Sequence, residues 1–179
     1  MVKITVSGHP GSGTSTLVNK LVQSNSWTSL NGGDVFRLEA KNRGMSLADF
    51  GELCKSDLQV DRELDNLLKE KMTGDNSIDV VESRLAGWWA YLLNIDCVRL
   101  WIDVSDEERA QRVVAREGGT ISQALEANAK RSAVDADRFS QLYDIQPQDP
   151  EAYTHVLDAG EMSIDEVFSA VTIILEDFN

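Results

Sequence analysis

A short apolar strand that runs into a glycine loop and out into a helix constrains this chain more than any other feature. Residues 3–7 (KITVS) are rich in β-branched side chains and are bounded by Gly8, which predicts a buried strand. Gly8, His9, Pro10, Gly11, Ser12, Gly13, Thr14 and Ser15 follow with the GxxxxG spacing of a phosphate loop and its two-residue hydroxyl position. Leu17, Val18, Leu21 and Val22 then recur at helical spacing, predicting a helix over about residues 13–23. Glycines at 8, 11 and 13 let successive backbone N–H groups turn toward phosphate oxygens, and the helix N-terminus adds partial positive charge. Ser15 stands where the hydroxyl of such loops meets Mg²⁺. Thr14 stands where lysine is usual, so roughly one unit of phosphate neutralisation has to come from elsewhere. A glycine turn without a ligand, or a loop that binds nucleotide without chemistry, are the alternatives.

Strand and helix patterns alternate along the rest of the chain. Strands are expected at 27–30, 78–81, 98–104 and 155–157. Helices are expected from Asp34 as cap over 35–41, from Ser46, from Asp57 to about 72, over 106–116, over 121–142 and over 164–175. Ser105 with Glu108 three residues on reads as a capping box, Gly74, Asp75 and Asn76 as a break, and Gly118 with Gly119 as another. Strands separated by helices throughout predict an α/β, three-layer sandwich with a central parallel sheet covered on both faces. At 179 residues, one domain is expected over 1–179.

Charge narrows the partners. A net charge of −13 argues against nucleic acid, which needs a basic footprint. After Arg138 there is no Lys or Arg, while nine acids follow, a tail that reads as solvated surface; acid excess also occurs in salt-adapted proteins. No signal peptide and no run of about 18 apolar residues is seen, so a cytoplasmic protein without membrane contact is expected. Cys54 and Cys97 sit in no metal or redox spacing and are expected as buried small hydrophobes, and His9 and His155 build no zinc site.

The upstream arginines are spaced to converge on something small and anionic. Arg109, Arg112 and Arg116 share one helix face, and Arg131 and Arg138 share another, flanking the Gly118–Gly119 break as a hinged lid would. Each has an ordinary alternative in ion pairs with acids such as Glu108 and Asp135. Arg37 lies on the first turns of a helix, and Arg84 comes directly off a buried strand, where ligand crevices lie in open parallel sheets.

GHPGSGTST, GGDVFR, RGMSLADF, VDRELD, ESRLAGW and LYDI, in this order, closely resemble the archaeal-type cytidylate kinases, from residue 3 to about residue 174. The resemblance implies an adenylate-kinase-like fold with an NMP-binding segment (about 31–73) and a lid (about 118–143), in which ATP with Mg²⁺ phosphorylates CMP and dCMP. Thr14 matches this family, many of whose members carry GSGT. Gly8 to Thr16 are then expected to hold ATP, with Ser15 on Mg²⁺ and Glu82 near the metal's water shell. Gly33, Asp34, Arg37, Asp61, Arg62, Arg84 and Gly87 are expected around CMP, and Arg84, Arg131 and Arg138 as the catalytic arginines. Ser83 departs from the EGRLAGW of some family members, and Asn31 stands where serine is frequent. Small-molecule substrates and a monomer are expected. Trp88 and Trp89 are either core or acceptor-pocket walls. The rivals are another small-molecule P-loop kinase, acting on UMP, AMP or a non-nucleotide such as shikimate, and a nucleotide-binding protein without catalysis.

Overall fold

The structure, a computed structural model, describes residues 1–74 and 78–178. Asp75 and Asn76 of the expected break lie outside the described residues. Five parallel strands form one sheet in the order β2-β3-β1-β4-β5: β1 (Ile4–Gly8), β2 (Ser29–Asn31), β3 (Val80–Glu82), β4 (Val98–Asp103) and β5 (His155–Asp158). The helices are α1 (Thr14–Asn25), α2 (Gly32–Asn42), α3 (Leu47–Ser56), α4 (Leu58–Thr73), α5 (Ala86–Leu92), α6 (Asp106–Glu117), α7 (Ile121–Tyr143) and α8 (Ile164–Phe178). The expected three-layer α/β sandwich is the observed architecture.

Strand alternation divides the core in two. Ile4, Val6, Val80, Val98, Leu100 and Ile102 point to one face, against Leu17, Val18 and Leu21 of α1 and Val167 and Val171 of α8. Val81 and Trp101 point to the other, against Trp88, Trp89, Leu68 and Phe139. Both strand faces are buried, as a parallel sheet between helices requires. A third cluster, Ala40, Phe50, Cys54 and Val60, ties α2, α3 and α4 together beside the sheet. Cys54 and Cys97 are both buried and free, and burial pushes each thiol up to about 11. Trp88 and Trp89 are core: Trp89 is 1% exposed, meets Tyr143 edge-on at 4.9 Å and lies under the Lys69 ammonium at 3.8 Å.

Three local expectations change. α2 begins at Gly32 with Asn31 as its cap, accepting from Gly33 N–H at 2.7 Å; Asp34 is already inside the first turn, on the exposed side. Glu108 N–H donates to Ser105 Oγ, but the Glu108 carboxylate turns to Arg112 at 3.1 Å, and the reciprocal box forms at Thr120 and Gln123 instead. α5 went unforeseen because AGWWAYL is buried nearly all round and shows no amphipathic period.

α5 also explains Gly87. A Cβ there would lie 2.3 Å from the Tyr153 ring, and Gly87 N–H donates to Ser7 Oγ at 3.3 Å. Its small size serves packing between β1 and Tyr153, and it does not line the cleft described below. Gly87→Ala should therefore destabilise the protein by about 1–3 kcal/mol, the range for overpacking a filled core. Urea unfolding measures it; a loss below about 0.5 kcal/mol would mean that Tyr153 moves aside freely.

Candidate functional site

β1 delivers Gly8 to the C-terminal edge of the sheet, and the loop to α1 turns there on two left-handed residues, Gly11 (φ 88) and Gly13 (φ 90). Gly11 tolerates nothing larger, since a Cβ would meet the Arg109 carbonyl oxygen at 3.0 Å. Alternate loop carbonyls face outward, and each meets an arginine. Arg84 donates to the Gly8 oxygen, Arg109 to the Pro10 oxygen at 2.8 Å, and Arg112 to the Ser12 oxygen at 3.0 Å. No side chain caps α1 at Gly13, so the N–H groups of its first turn remain available to an anion. Ser12 N–H is the exception within the loop, being used by the His9 oxygen at 3.1 Å.

Glu82 ends β3 beside β1 and gathers the loop hydroxyls. Thr14 Oγ1 donates to Oε1 at 2.7 Å, Ser15 Oγ to the same oxygen at 2.6 Å, and Asn31 Nδ2 to Oε2 at 2.6 Å. The residue is 8% exposed, and its ion-pair partners number none among the described residues. Three neutral donors leave the carboxylate's charge uncompensated. Hard oxygen donors around a net negative charge suit a hydrated Mg²⁺. No group of three His, Cys, Asp or Glu that could hold a metal occurs among the described residues.

A cleft of about 440 Å³ opens from the loop across the sheet edge toward α2, α4 and α7. It brings together Gly8, His9, Pro10, Gly11, Gly13, Thr14, Ser15 and Thr16 on one side. Gly33, Asp61, Glu82, Arg84, Arg131 and Arg138 join them, with Arg116 as a further cation. Arg84 is braced by Asp135 at 2.8 Å as well as by the Gly8 oxygen. Arg138 reaches Asp61 at 3.4 Å and Asp135 at 3.6 Å, both loose. Arg131 makes no ion pair or hydrogen bond among the described residues.

Other expected site residues stay outside the cleft lining. Ser12 is buried, with its hydroxyl unbonded. Arg37 and Asp34 pair with each other at 2.6 Å on the exposed rim, next to Gly33. Arg62 turns away to the Leu142 oxygen at 3.3 Å, because consecutive helix residues diverge by about 100° and Asp61 already faces inward. The Arg109, Arg112, Arg116 stripe divides by depth. Arg109 is 3% exposed, and with Arg112, which also reaches the Ala159 oxygen, it braces the loop from behind; Arg116 alone of the three lines the cleft.

A family described as "AAA domain" matches residues 7–127. A protein of Methanocorpusculum labreanum named cytidylate kinase is 38% identical over 171 residues, covering 95% of this chain and 94% of that one. A cytidylate kinase of Pyrococcus furiosus is 36% identical, covering 97% and 88%. The chain belongs to the cytidylate kinase family. In solved structures, a shikimate kinase of Bacteroides thetaiotaomicron has the same fold, with a TM-score of 0.62 at 13% identity over 98% of each chain.

In this family member the cleft also holds Asp65, which the sequence reading passed over, and Asp135, which it named only as an ion-pair partner for the arginines. Asp65 follows Asp61 by one helical turn, and that i, i+4 spacing could have found it. Asp135 brings α7 to Arg84, a contact with no local signal. The loop's electrostatics show at His9, which stacks edge-on against Trp101 at 5.1 Å. Burial lowers its pKa below the ordinary 6.5, and the guanidinium groups of Arg109 and Arg84 lower it further. His9 is thus neutral at pH 7 beside the phosphate loop. A depressed histidine pKa means that the unfolded chain takes up the proton first, so this contribution to stability is lost as pH falls below 6.5. Between pH 7 and pH 5, denaturation should show wild type losing more stability than His9→Gln; equal losses would mean that His9 is not held neutral.

Proposed function

We propose that the chain transfers the γ-phosphoryl group of ATP to CMP, and to dCMP, giving ADP and CDP or dCDP with Mg²⁺ present. The observation that supports this reading is one cleft lined both by an open helix N-terminus and by Arg84, Arg131 and Arg138. The family relatives' name supports the choice of CMP. Residues 31–73 would form the acceptor-binding segment and 118–143 the lid.

The acceptor phosphate is already ionised near neutral pH, so no strong base is required. Its oxygen forms a bond to the γ-phosphorus as the bond from that phosphorus to the bridging oxygen breaks, and ADP leaves with the electron pair. The task of the protein is to hold two polyanions in line and stabilise the charge between them. Loop and α1 amides hold the β- and γ-phosphates of the donor. Arg84, with two of its nitrogens committed to Gly8 and Asp135, presents Nη2 to the transferring group from a fixed position. Arg131 has no acid to release before meeting phosphate, and Arg138 only loose ones. Arg37 would leave Asp34 for the acceptor phosphate, an exchange between exposed partners that costs little. Ser15 and Glu82 would hold Mg²⁺, directly and through water, and the metal when bound supplies charge neutralisation at the terminal phosphates.

A coupled ADP-release assay over CMP, dCMP, UMP and AMP tests the reading, with turnover expected for CMP and dCMP. ATP binding without turnover of any monophosphate would leave a nucleotide-binding protein instead. Arg84→Ala should lower kcat by about 10²–10³-fold, as loss of one preorganised charge-stabilising donor does. A near-normal rate would remove Arg84 from the transfer step.

A further inference from the structure

The cleft has a second end, away from the phosphate loop, that phosphate chemistry does not explain. α4 lines it with Asp61, Leu64, Asp65 and Leu68, spaced as one helix face. Val35 and Phe36 of α2 form the facing wall, with the Phe36 ring braced on Phe50 at 4.8 Å. Apolar walls around a few fixed polar groups suit a flat heterocycle whose edge is read.

The polar groups here are both carboxylates. Asp61 is 5% exposed; the Cys54 thiol lies within hydrogen-bonding reach of its carboxylate, and its Oδ2 has no hydrogen bond, only the long approach of Arg138. Asp65 accepts the Tyr143 hydroxyl proton on Oδ2 at 2.7 Å, while Oδ1 has no hydrogen bond among the described residues. Tyr143 is itself packed edge-on against Trp89, so the core fixes the direction in which Asp65 faces. Burial raises the pKa of both carboxyls; Arg138 and the Cys54 thiol oppose it at Asp61, where Asp135 adds to it, and the Tyr143 hydroxyl and Arg138 oppose it at Asp65, where Asp61 adds to it. The fold gains little from the Asp61 carboxylate: a buried carboxylate oxygen without a hydrogen bond destabilises, and an amide or an apolar side chain would fill the space at less cost. A buried oxygen that lacks a donor, beside a second carboxylate that keeps one oxygen spare in the same cleft, implies that the ligand brings the donors.

We propose that Asp61 and Asp65 form an acceptor-only edge that reads the exocyclic amine of the substrate base, and that Asp65, oriented by Tyr143, separates CMP from UMP. The inference rests on the reading of this cleft as the site of a pyrimidine monophosphate. Cytosine carries at C4 an amino group with two N–H donors, which two neighbouring acceptors match. Uracil carries a carbonyl at that position, and its oxygen would face carboxylate oxygens with no proton between them. A site built to accept a substrate N–H discriminates strongly against an analogue that lacks it.

Asp65→Asn is the test, because the amide oxygen can keep the Tyr143 hydroxyl while the amide nitrogen turns a donor toward the base. For wild type, kcat/KM for CMP should exceed that for UMP by about 100-fold or more. In Asp65→Asn that ratio should fall by about 100-fold, with CMP worse and UMP better, while ATP affinity is unchanged and the melting temperature is equal or higher. A merely structural Asp65 predicts the opposite pattern: a lower melting temperature and equal losses with both acceptors. Tyr143→Phe keeps the carboxylate but frees it, and should lower the ratio by about 10-fold through KM; it carries the test if Asp65→Asn does not fold. A wild type that prefers CMP, with both variants keeping its ratio, overturns this inference alone. A wild type that phosphorylates neither pyrimidine overturns the functional reading and this inference with it.

Discussion

The site depends on where the carbonyls of the glycine loop go. A loop that turns its N–H groups toward a ligand must turn its C=O groups the other way, into protein, where each needs a donor. Gly8, Pro10 and Ser12 present three such oxygens at every second residue, and Arg84, just past β3, and Arg109 and Arg112 of α6 satisfy them. A guanidinium donates through several N–H groups from a rigid plane and stays charged when buried. The same contacts therefore fix the loop and surround it with positive charge. In a chain of net charge −13, this local concentration of cations makes the phosphate loop a place where anions are welcome.

Carboxylates keep those cations in place without neutralising the cleft for good. Asp135 receives Arg84 at 2.8 Å but Arg138 only at 3.6 Å, so one arginine is fixed while the other is free to exchange partners. A close, part-buried pair resists exchange, whereas a loose or exposed one contributes under about 1 kcal/mol and gives way to a doubly charged phosphate. Arg84 is thus held firmly near the loop, whereas Arg37 and Arg138 are held only by exposed or loose pairs. Gly118 (φ 80) and Gly119 (φ 90) separate α6, which is tied to the loop, from the continuous helix α7, which carries Arg131, Asp135 and Arg138. Left-handed glycines at that junction let the chain turn sharply between the two helices.

The fold was legible where a segment's own pattern decides its structure. The strand, loop and helix of residues 4–25, the buried strands and the long amphipathic helices follow from periodicity and caps, and their observed ends differ by a few residues. α5 escaped because Trp88, Trp89 and their neighbours are buried on nearly every side, so burial erased the period that would have marked it. Site residues were less legible, because a motif names residues without saying which way they face. Asp61 and Arg62 are adjacent in VDRELD yet point to different neighbours, and Gly87 in ESRLAGW answers to the Tyr153 ring. Arg109 and Arg112 have the spacing of ligand-binding arginines, but their partners lie about 100 residues away in the chain, and only tertiary structure reveals that these are loop carbonyls.

Thr14 shows how a departure from the usual loop is absorbed by its surroundings. Thr14 and Ser15 both donate to a single oxygen of Glu82, and Asn31 donates to the other. A lysine at position 14 would lie within reach of that carboxylate and pair with it. Threonine keeps a donor there but adds no charge, so Glu82 meets only neutral donors at low exposure. The positive charge that the lysine would have brought is instead distributed among Arg84, Arg109 and Arg112, which contact the loop's outer oxygens. Arg109 and Arg112 brace the loop from behind, Arg84 also lines the cleft, and Glu82 with its two hydroxyl donors lies in front of the loop.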